Sequence, residues 1–389
     1  MAPRTTMPGE VAEADWRLLD LDQFDEFIRS LNDRFEVRGP VPTSDAIILG
    51  RLRSARDLPI GWRDEQSPGR YRASDQGDDE YFGHAVAATG PKTELLPARQ
   101  VMWRSEGRGE RLKFVEPDAR SRDLALLGVR PCEVAAISIL ERVLVGGDYH
   151  DPHVDDVGRG MFVAVVECAR PAATCFCSSM GTGPGIDDGF DVALTELFGP
   201  HRFLVRIGSE RGRREVARVT STRAHDTDLV ARAEVLERAN QRLTRHVDRE
   251  GVATLLEHNV EHPMWSDVAE RCLGCANCTM VCPTCFCTDV HDVNDLAGDV
   301  TRLRTWSSCF DIDHSYLHGG AVRTSMSSRY RQWLTHKFST WWDQFGSSGC
   351  VGCGRCVTWC PVGIDVTAQL ATLHVKELRD VDSRVAGVS

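Results

Sequence analysis

Two short stretches carry the same arrangement of cysteines. Residues 272–283 have cysteine at 272, 275, 278 and 282 and proline at 283; residues 350–361 repeat this at 350, 353, 356, 360 and 361. Both read C-x2-C-x2-C-x3-C-P, the bacterial-ferredoxin spacing for a [4Fe–4S] cluster. Three thiolates at i, i+3 and i+6 on a tight turn reach three corners of one cube. The fourth heads the next helix and points away, toward the other cluster. Crossed ligation therefore predicts a first cluster on Cys272, Cys275, Cys278 and Cys360, and a second on Cys350, Cys353, Cys356 and Cys282. Glycines at 274, 352 and 354 let backbone approach the inorganic sulfides, and N–H groups there tune the potential. The competing reading is a pair of zinc sites. Those join two C-x2–4-C halves across a longer spacer, which accounts poorly for a third cysteine at i+6 and a C-P fourth, twice over.

Seven of the 15 cysteines remain. Cys132, Cys168, Cys175 and Cys177 make the count a cube needs, and they fall at strand ends and in a Gly-rich loop, where sites in α/β sheets assemble. They are expected to hold a third [4Fe–4S] cluster; the alternative is buried free thiols. The tetrapeptide T-C-F-C occurs at 174–177 and again at 284–287. Cys285, Cys287 and Cys309 are three only, and a passive, sheltering role is the simpler reading for them.

The elements that must position these thiols divide the chain in two. Leu21 to Phe35 has apolar residues at helical spacing. Asp45 to Leu52, Asp123 to Val129, Met161 to Val166 and Phe203 to Ile207 read as strands, Glu133 to Val145 and Asp226 to Val247 as helices, and residues 64–80 as a polar loop. Past residue 255 strand signals nearly vanish. The fold class expected is α+β multidomain: an extension over 1–20, an α/β domain over 21–255 with the possible third cluster site, and a mostly helical, ferredoxin-like domain with two [4Fe–4S] clusters over 256–389. The two motifs start 78 residues apart, and the insert is expected to be a helical cover that keeps water off the clusters.

Composition narrows the context. Of 389 residues, 42% are hydrophobic and 26% charged, as in soluble globular proteins, and no apolar run approaches a membrane span. Without a secretory signal at the start, the expected location is the cytoplasm, where 15 cysteines point to metal or redox chemistry rather than disulfides. A net charge of −11 argues against a nucleic-acid partner. His258 to His262 matches H-x-x-E-H formally, but Pro263 ends the helix it would need. The loop G-T-G-P-G at 181–185 lacks the third glycine of a dinucleotide fingerprint, and there is no Walker A pattern or serine nucleophile elbow. No catalytic residue is assigned.

RCLGCANCTMVCPTCFC (271–287), TWSSCFD (305–311), HGG (318–320), RYRQWLTHKF (329–338) and GCVGCGRCVTWCPVGID (349–365) resemble the 4Fe–4S dicluster beta subunit of cytosolic nickel–iron hydrogenases, the sulfhydrogenases. Upstream, residues 126–149 and 173–185 are similar to the same family, and the resemblance spans roughly residues 20–375. The A-type iron–sulfur subunit of anaerobic sulfite reductase is similar too. The resemblance implies an electron relay that links the small and large nickel–iron hydrogenase subunits to a flavin-bearing, NAD(P)H-binding gamma-type subunit. Nothing resembles the nickel-binding cysteine pairs of a large subunit, so the hydrogen-activating centre is expected elsewhere. Two alternatives stand: the sulfite-reductase subunit, or else a non-catalytic protein whose clusters are structural or sense oxygen.

Overall fold

The computed structural model describes residues 15–373 except 108, 118–122 and 297. The first fourteen residues of the expected extension and the end of the chain from 374 lie outside the described residues.

Fourteen strands, numbered along the chain, build the sheets that carry the site. They are β1 (Trp16–Leu19), β2 (Phe35–Pro42), β3 (Ile47–Arg51), β4 (Trp62–Ser67), β5 (Arg70–Asp75), β6 (Arg99–Glu106), β7 (Lys113–Val115), β8 (Asp123–Val129), β9 (Phe162–Val166), β10 (Val192–Leu197), β11 (Arg202–Ile207), β12 (Thr222–Arg223), β13 (Thr288–Asn294) and β14 (Val300–Trp306). The main sheet has eight strands in the order β12-β1-β11-β10-β9-β8-β2-β3. Its centre is parallel, β2 to β8 to β9 to β10, and the outer pairs are antiparallel. β9 (FVAVV) is buried at every residue, as a central strand covered on both faces should be. Alternate residues feed two cores: Ala125 and Leu127 pack with Phe24, Phe27 and Phe203, while Leu124 and Leu126 pack with Ile137 and Leu140. The helix Leu21–Asn32 buries Phe24, Phe27, Ile28 and Leu31 at i, i+3, i+4 and i+7 and starts in an Asp20/Gln23 capping box.

Three expectations are corrected. Residues 64–80 are not simply a loop: β4 and β5 form a hairpin in full antiparallel register. Its strands (WRDEQS and RYRASD) are too charged to show a hydrophobic pattern, and they hold their place by polar contacts instead. Strands do not vanish past 255, so the second half is not simply helical: β13 and β14 pair with each other, and β14 pairs with β6. That second sheet (β13-β14-β6-β7) joins residues 99–115 to the insert between the two cysteine motifs. Residues 16–19, counted with the leading extension, are strand β1 of the main sheet.

The rest of the insert holds a short antiparallel pair, Tyr316–Leu317 with Gly320–Ala321, and a helical element. Met326–Thr335 runs on through a π turn, His336–Thr340, into Trp341–Phe345. Tyr330, Trp333, Leu334 and Phe338 of this element pack with Trp265, Phe310 and Val357 into one core. That core reaches both cysteine motifs, with Cys272, Cys278, Cys350, Cys356 and Cys360 against it.

Candidate iron–sulfur centres

Each motif is a turn followed by a one-turn helix. In the first, Met264–Arg271 ends on Cys272, and Ala276 takes a left-handed φ of 62° before Asn277–Met280 carries Cys278. In the second, Gly354 occupies the equivalent place with φ 75°, before Arg355–Thr358 carries Cys356. The repeated conformation turns the third cysteine of each motif back toward the first two.

Cys272, Cys275, Cys278 and Cys360, the predicted first set, line one cavity together with Phe310, Tyr330, Trp333 and Ile364, and Cys356 of the predicted second set lines it too. Tyr330 Oη and Trp333 Nε1 are buried and have no hydrogen-bond partner among the described residues. A buried donor without an acceptor is costly, and cluster sulfurs would be acceptors here. Burial pushes the Cys278 and Cys272 thiols up, reinforced by the neighbouring thiols. Thiols held this close and this buried favour ligation, which takes them as thiolates. Among the described residues no three His, Cys, Asp or Glu side chains converge tightly enough for a single ion. The thiols surround a shared space instead, as a four-iron cube requires.

The thiols of the second predicted set act on one another electrostatically. Burial pushes Cys350 up to about 12, with Lys337 opposing and Cys282 and Cys353 adding to the rise. Cys356 is raised by burial and then by Cys350, Cys282 and Cys353. Gly352 N–H donates to Cys350 Sγ at 3.4 Å, and Ile364 N–H to Cys360 Sγ at 3.3 Å, the N–H···S bonds that such sites use. A hydrogen bond from the Cys285 thiol, with the Lys337 ammonium behind it, holds the Cys282 thiol well below the ordinary range. Cys278 and Cys356 line the same cavity, so the two motifs meet there.

Cys132, Cys168, Cys175 and Cys177 are all buried. Cys132 opens the helix Pro131–Leu144 at the C-terminal end of β8, and Cys168 follows the end of the adjacent parallel strand β9. A helix N-terminus favours negative charge at Cys132. Burial raises Cys175, followed by Cys177, Cys168 and Cys353; it raises Cys132, followed by Cys353 and Cys177. Cys177 thus acts on both Cys132 and Cys175, Cys168 acts on Cys175, and Cys353 of the proposed second group acts on Cys132 and Cys175.

The seam between these groups is backbone. Phe176 N–H donates to Gly352 O at 2.8 Å, and the Thr174 and Thr358 hydroxyls meet at 2.8 Å. A Cβ on Gly354 would lie 2.6 Å from the Thr174 carbonyl. The β4–β5 hairpin supports the other side: Thr358 donates to Gln66 Oε1 at 2.8 Å, and Tyr71 stacks on Trp359 at 5.0 Å.

The charged residues around the thiols were not singled out by sequence. Arg355 is fully buried, donates from Nε to Ala87 O at 3.0 Å, and pairs with the Glu133 carboxylate. Glu133 in turn accepts from Arg130 N at 2.9 Å, which fixes the start of the Cys132 helix. Arg130 is buried as well and ties down Phe82, His84 and Ala85 through their carbonyls. Lys92 and Lys337 flank Cys282. The chain has only four lysines, so two of them buried among cysteines is a bias that composition alone could have flagged. Cys285 hydrogen-bonds Cys282, and Cys309 is acted on by Cys287 and itself acts on Cys278. The formal H-x-x-E-H match is broken as expected: one helix ends at His258 and the next begins at Met264.

Residues 271–364 match the 4Fe-4S dicluster domain family. The whole chain is similar to sulfhydrogenase 2 subunit beta of Pyrococcus furiosus, 29% identical over 368 residues that cover 93% of this chain and 97% of that protein. No solved structure matches the chain. The doubled motif, the cavity it encloses and a likeness running nearly end to end agree: this chain is an iron–sulfur protein with a two-cluster [4Fe–4S] domain and a homologue of the sulfhydrogenase beta subunit.

Proposed function

We propose that this chain is the electron-transfer subunit of a cytoplasmic hydrogenase complex, relaying electrons between the nickel–iron small and large subunits and a flavin-bearing, NAD(P)H-binding gamma-type subunit. Its first cluster is held by Cys272, Cys275, Cys278 and Cys360, and its second by Cys282, Cys350, Cys353 and Cys356. A third is held by Cys132, Cys168, Cys175 and Cys177. A bound [4Fe–4S] cluster supplies one-electron chemistry. The chain's residues do the rest: thiolates ligate, the aromatic core excludes water, and N–H and O–H donors stabilise charge.

The observation that carries the reading is continuity. The proposed third group is linked to the second by the action of Cys353 on Cys132 and Cys175, and Cys278 and Cys356 share a cavity, which supports a continuous line of thiols. One end of this line is buried in the main sheet; the other reaches the surface at Cys275, beside Leu273, which is 65% exposed. No helix among the described residues is long and apolar enough to cross a membrane.

The test is reduction of the purified complex by NADPH, followed by electron paramagnetic resonance. Cluster signals that appear only with the flavin partner present, together with hydrogen uptake, support the relay. Sulfite reduction without hydrogen uptake would assign the chain to the other enzyme, and clusters that never reduce would leave a structural role.

A further inference from the structure

A buried cluster is hard to reduce, because the added electron is a charge placed in a medium that solvates it poorly. The second group shares this problem with the fully buried third: Cys282 and Cys353 are buried and Cys350 and Cys356 are only partly exposed, whereas Cys275 of the first group is open to water. Beside the second group, and only there among the described cysteines, a lysine ammonium donates to a ligand sulfur. Lys337 Nζ donates to Cys282 Sγ at 3.3 Å, to Thr284 Oγ1 at 3.0 Å and to Gly349 O at 3.0 Å. Lys92 Nζ donates to the carbonyls of Thr279, Met280 and Cys282 at 3.2–3.3 Å and sits 3.8 Å from the Trp306 ring. Among the described residues neither ammonium reaches a carboxylate. Two buried cations without a carboxylate need another anion, and the cysteine-ligated cluster is the one at hand.

The backbone is shaped to deliver Lys337. It lies in the π turn that interrupts an otherwise continuous helical element. A π turn inserts one residue and rotates the following side chains, and such turns gather at functional sites. Here the turn places Lys337 at Cys282 while Trp333 and Tyr330, one to two turns earlier, face the first cavity.

We infer that Lys337, supported by Lys92, raises the reduction potential of the second cluster and so keeps the buried middle of the relay from becoming an uphill step. The inference rests on the crossed ligation proposed above, in which Cys282 belongs with Cys350, Cys353 and Cys356. An N–H···S bond from a fixed cation strengthens as the sulfur gains charge, so it favours the reduced state. The effect is local, because no lysine among the described residues donates to a sulfur of the first group, where Arg329 acts on Cys272 from outside hydrogen-bond reach.

The test is a redox titration of the anaerobically purified complex, read by electron paramagnetic resonance, for the natural protein, Lys337→Gln, Lys337→Arg and Lys92→Gln. Cys353→Ser and Cys275→Ser assign the second-cluster and first-cluster signals independently. In Lys337→Gln the reduced-to-oxidised ratio of the second-cluster signal at fixed potential should fall about tenfold, equal to about 59 mV for one electron. The first-cluster signal should stay in place. Lys337→Arg should restore most of the ratio, which a purely structural role would not require. Lys92→Gln should shift the same signal in the same direction by less, and this arm decides the matter if Lys337→Gln loses iron. Unshifted signals at full iron content overturn the inference. A shift confined to the signal that Cys275→Ser removes would keep the lysine effect but refute the crossed ligation.

Discussion

Alanine at Gly352 probes the seam between the second and third thiol groups. Gly352 has a φ of 65°, and a Cβ there would lie 2.6 Å from Phe176 O and 2.7 Å from Cys177 N. Neither atom ends a flexible side chain, so relief requires the 174–177 and 350–356 loops to part. The left-handed backbone costs an L-residue about 1–2 kcal/mol. Parting the loops also breaks the 2.8 Å bond from Phe176 N–H to Gly352 O, at about 1–3 kcal/mol for a buried group left unmade. The sum, about 2–5 kcal/mol, is a large share of the about 5–15 kcal/mol that holds an ordinary domain folded. Gly346 is the control: its φ is also 65°, but nothing lies within 4 Å of its Cβ position, so Gly346→Ala carries the backbone strain alone. The assay is anaerobic denaturant unfolding of both variants with iron counted per chain. Gly352→Ala should lose at least about 1 kcal/mol more than Gly346→Ala and should shed iron from the second and third groups while the first is kept. Equal destabilisation with full iron content in Gly352→Ala would refute the shared seam.

Further outcomes follow from the same geometry. Cys275→Ala and Cys353→Ala should each remove a different cluster signal from the spectrum; persistence of both signals in either variant contradicts the ligand sets. Glu133→Gln unpairs the buried Arg355 and should destabilise the protein by about 3–5 kcal/mol in denaturant titration, with release of iron from the third group. His201 is held above its ordinary pKa, first by its hydrogen bond to Glu196 and then by Asp79. Glu196 also accepts from Tyr81 N–H and Phe82 N–H at 2.7 and 2.9 Å. A raised folded pKa gives stability that is full below the unfolded value near 6.5 and is lost as pH rises through the folded value. Unfolding midpoints should therefore fall with pH from about 6.5 upward, and His201→Ala should flatten that slope.

What could be read in advance depended on how strongly each feature is written in residue type. The ligand sets rest on spacing, which is written in residue type, and the four cysteines expected for the first set do line one cavity, with Cys356 beside them. β8, β9 and the helix that follows Pro131 were legible because buried parallel strands are almost continuously apolar, and that placed Cys132 and Cys168 at adjacent strand ends. The β4–β5 hairpin was not, since its strands are charged and its register is held by Gln66 and Tyr71 against the second motif. β13 and β14 were missed for a related reason: TDVHDVN and VTRLRTW are largely polar, and the sheet they build needs β6 from nearly two hundred residues upstream. Lys92 lies in an ordinary turn-and-helix segment and reaches Cys282 only through tertiary packing, so neither motif nor periodicity pointed to it.

Iron and acid-labile sulfide per chain, measured on anaerobically purified complex, test the central claim most directly. Three [4Fe–4S] sites predict about twelve of each. About eight of each would confine the clusters to the two ferredoxin motifs and leave Cys132, Cys168, Cys175 and Cys177 as buried thiols, and zinc without sulfide would contradict the account altogether.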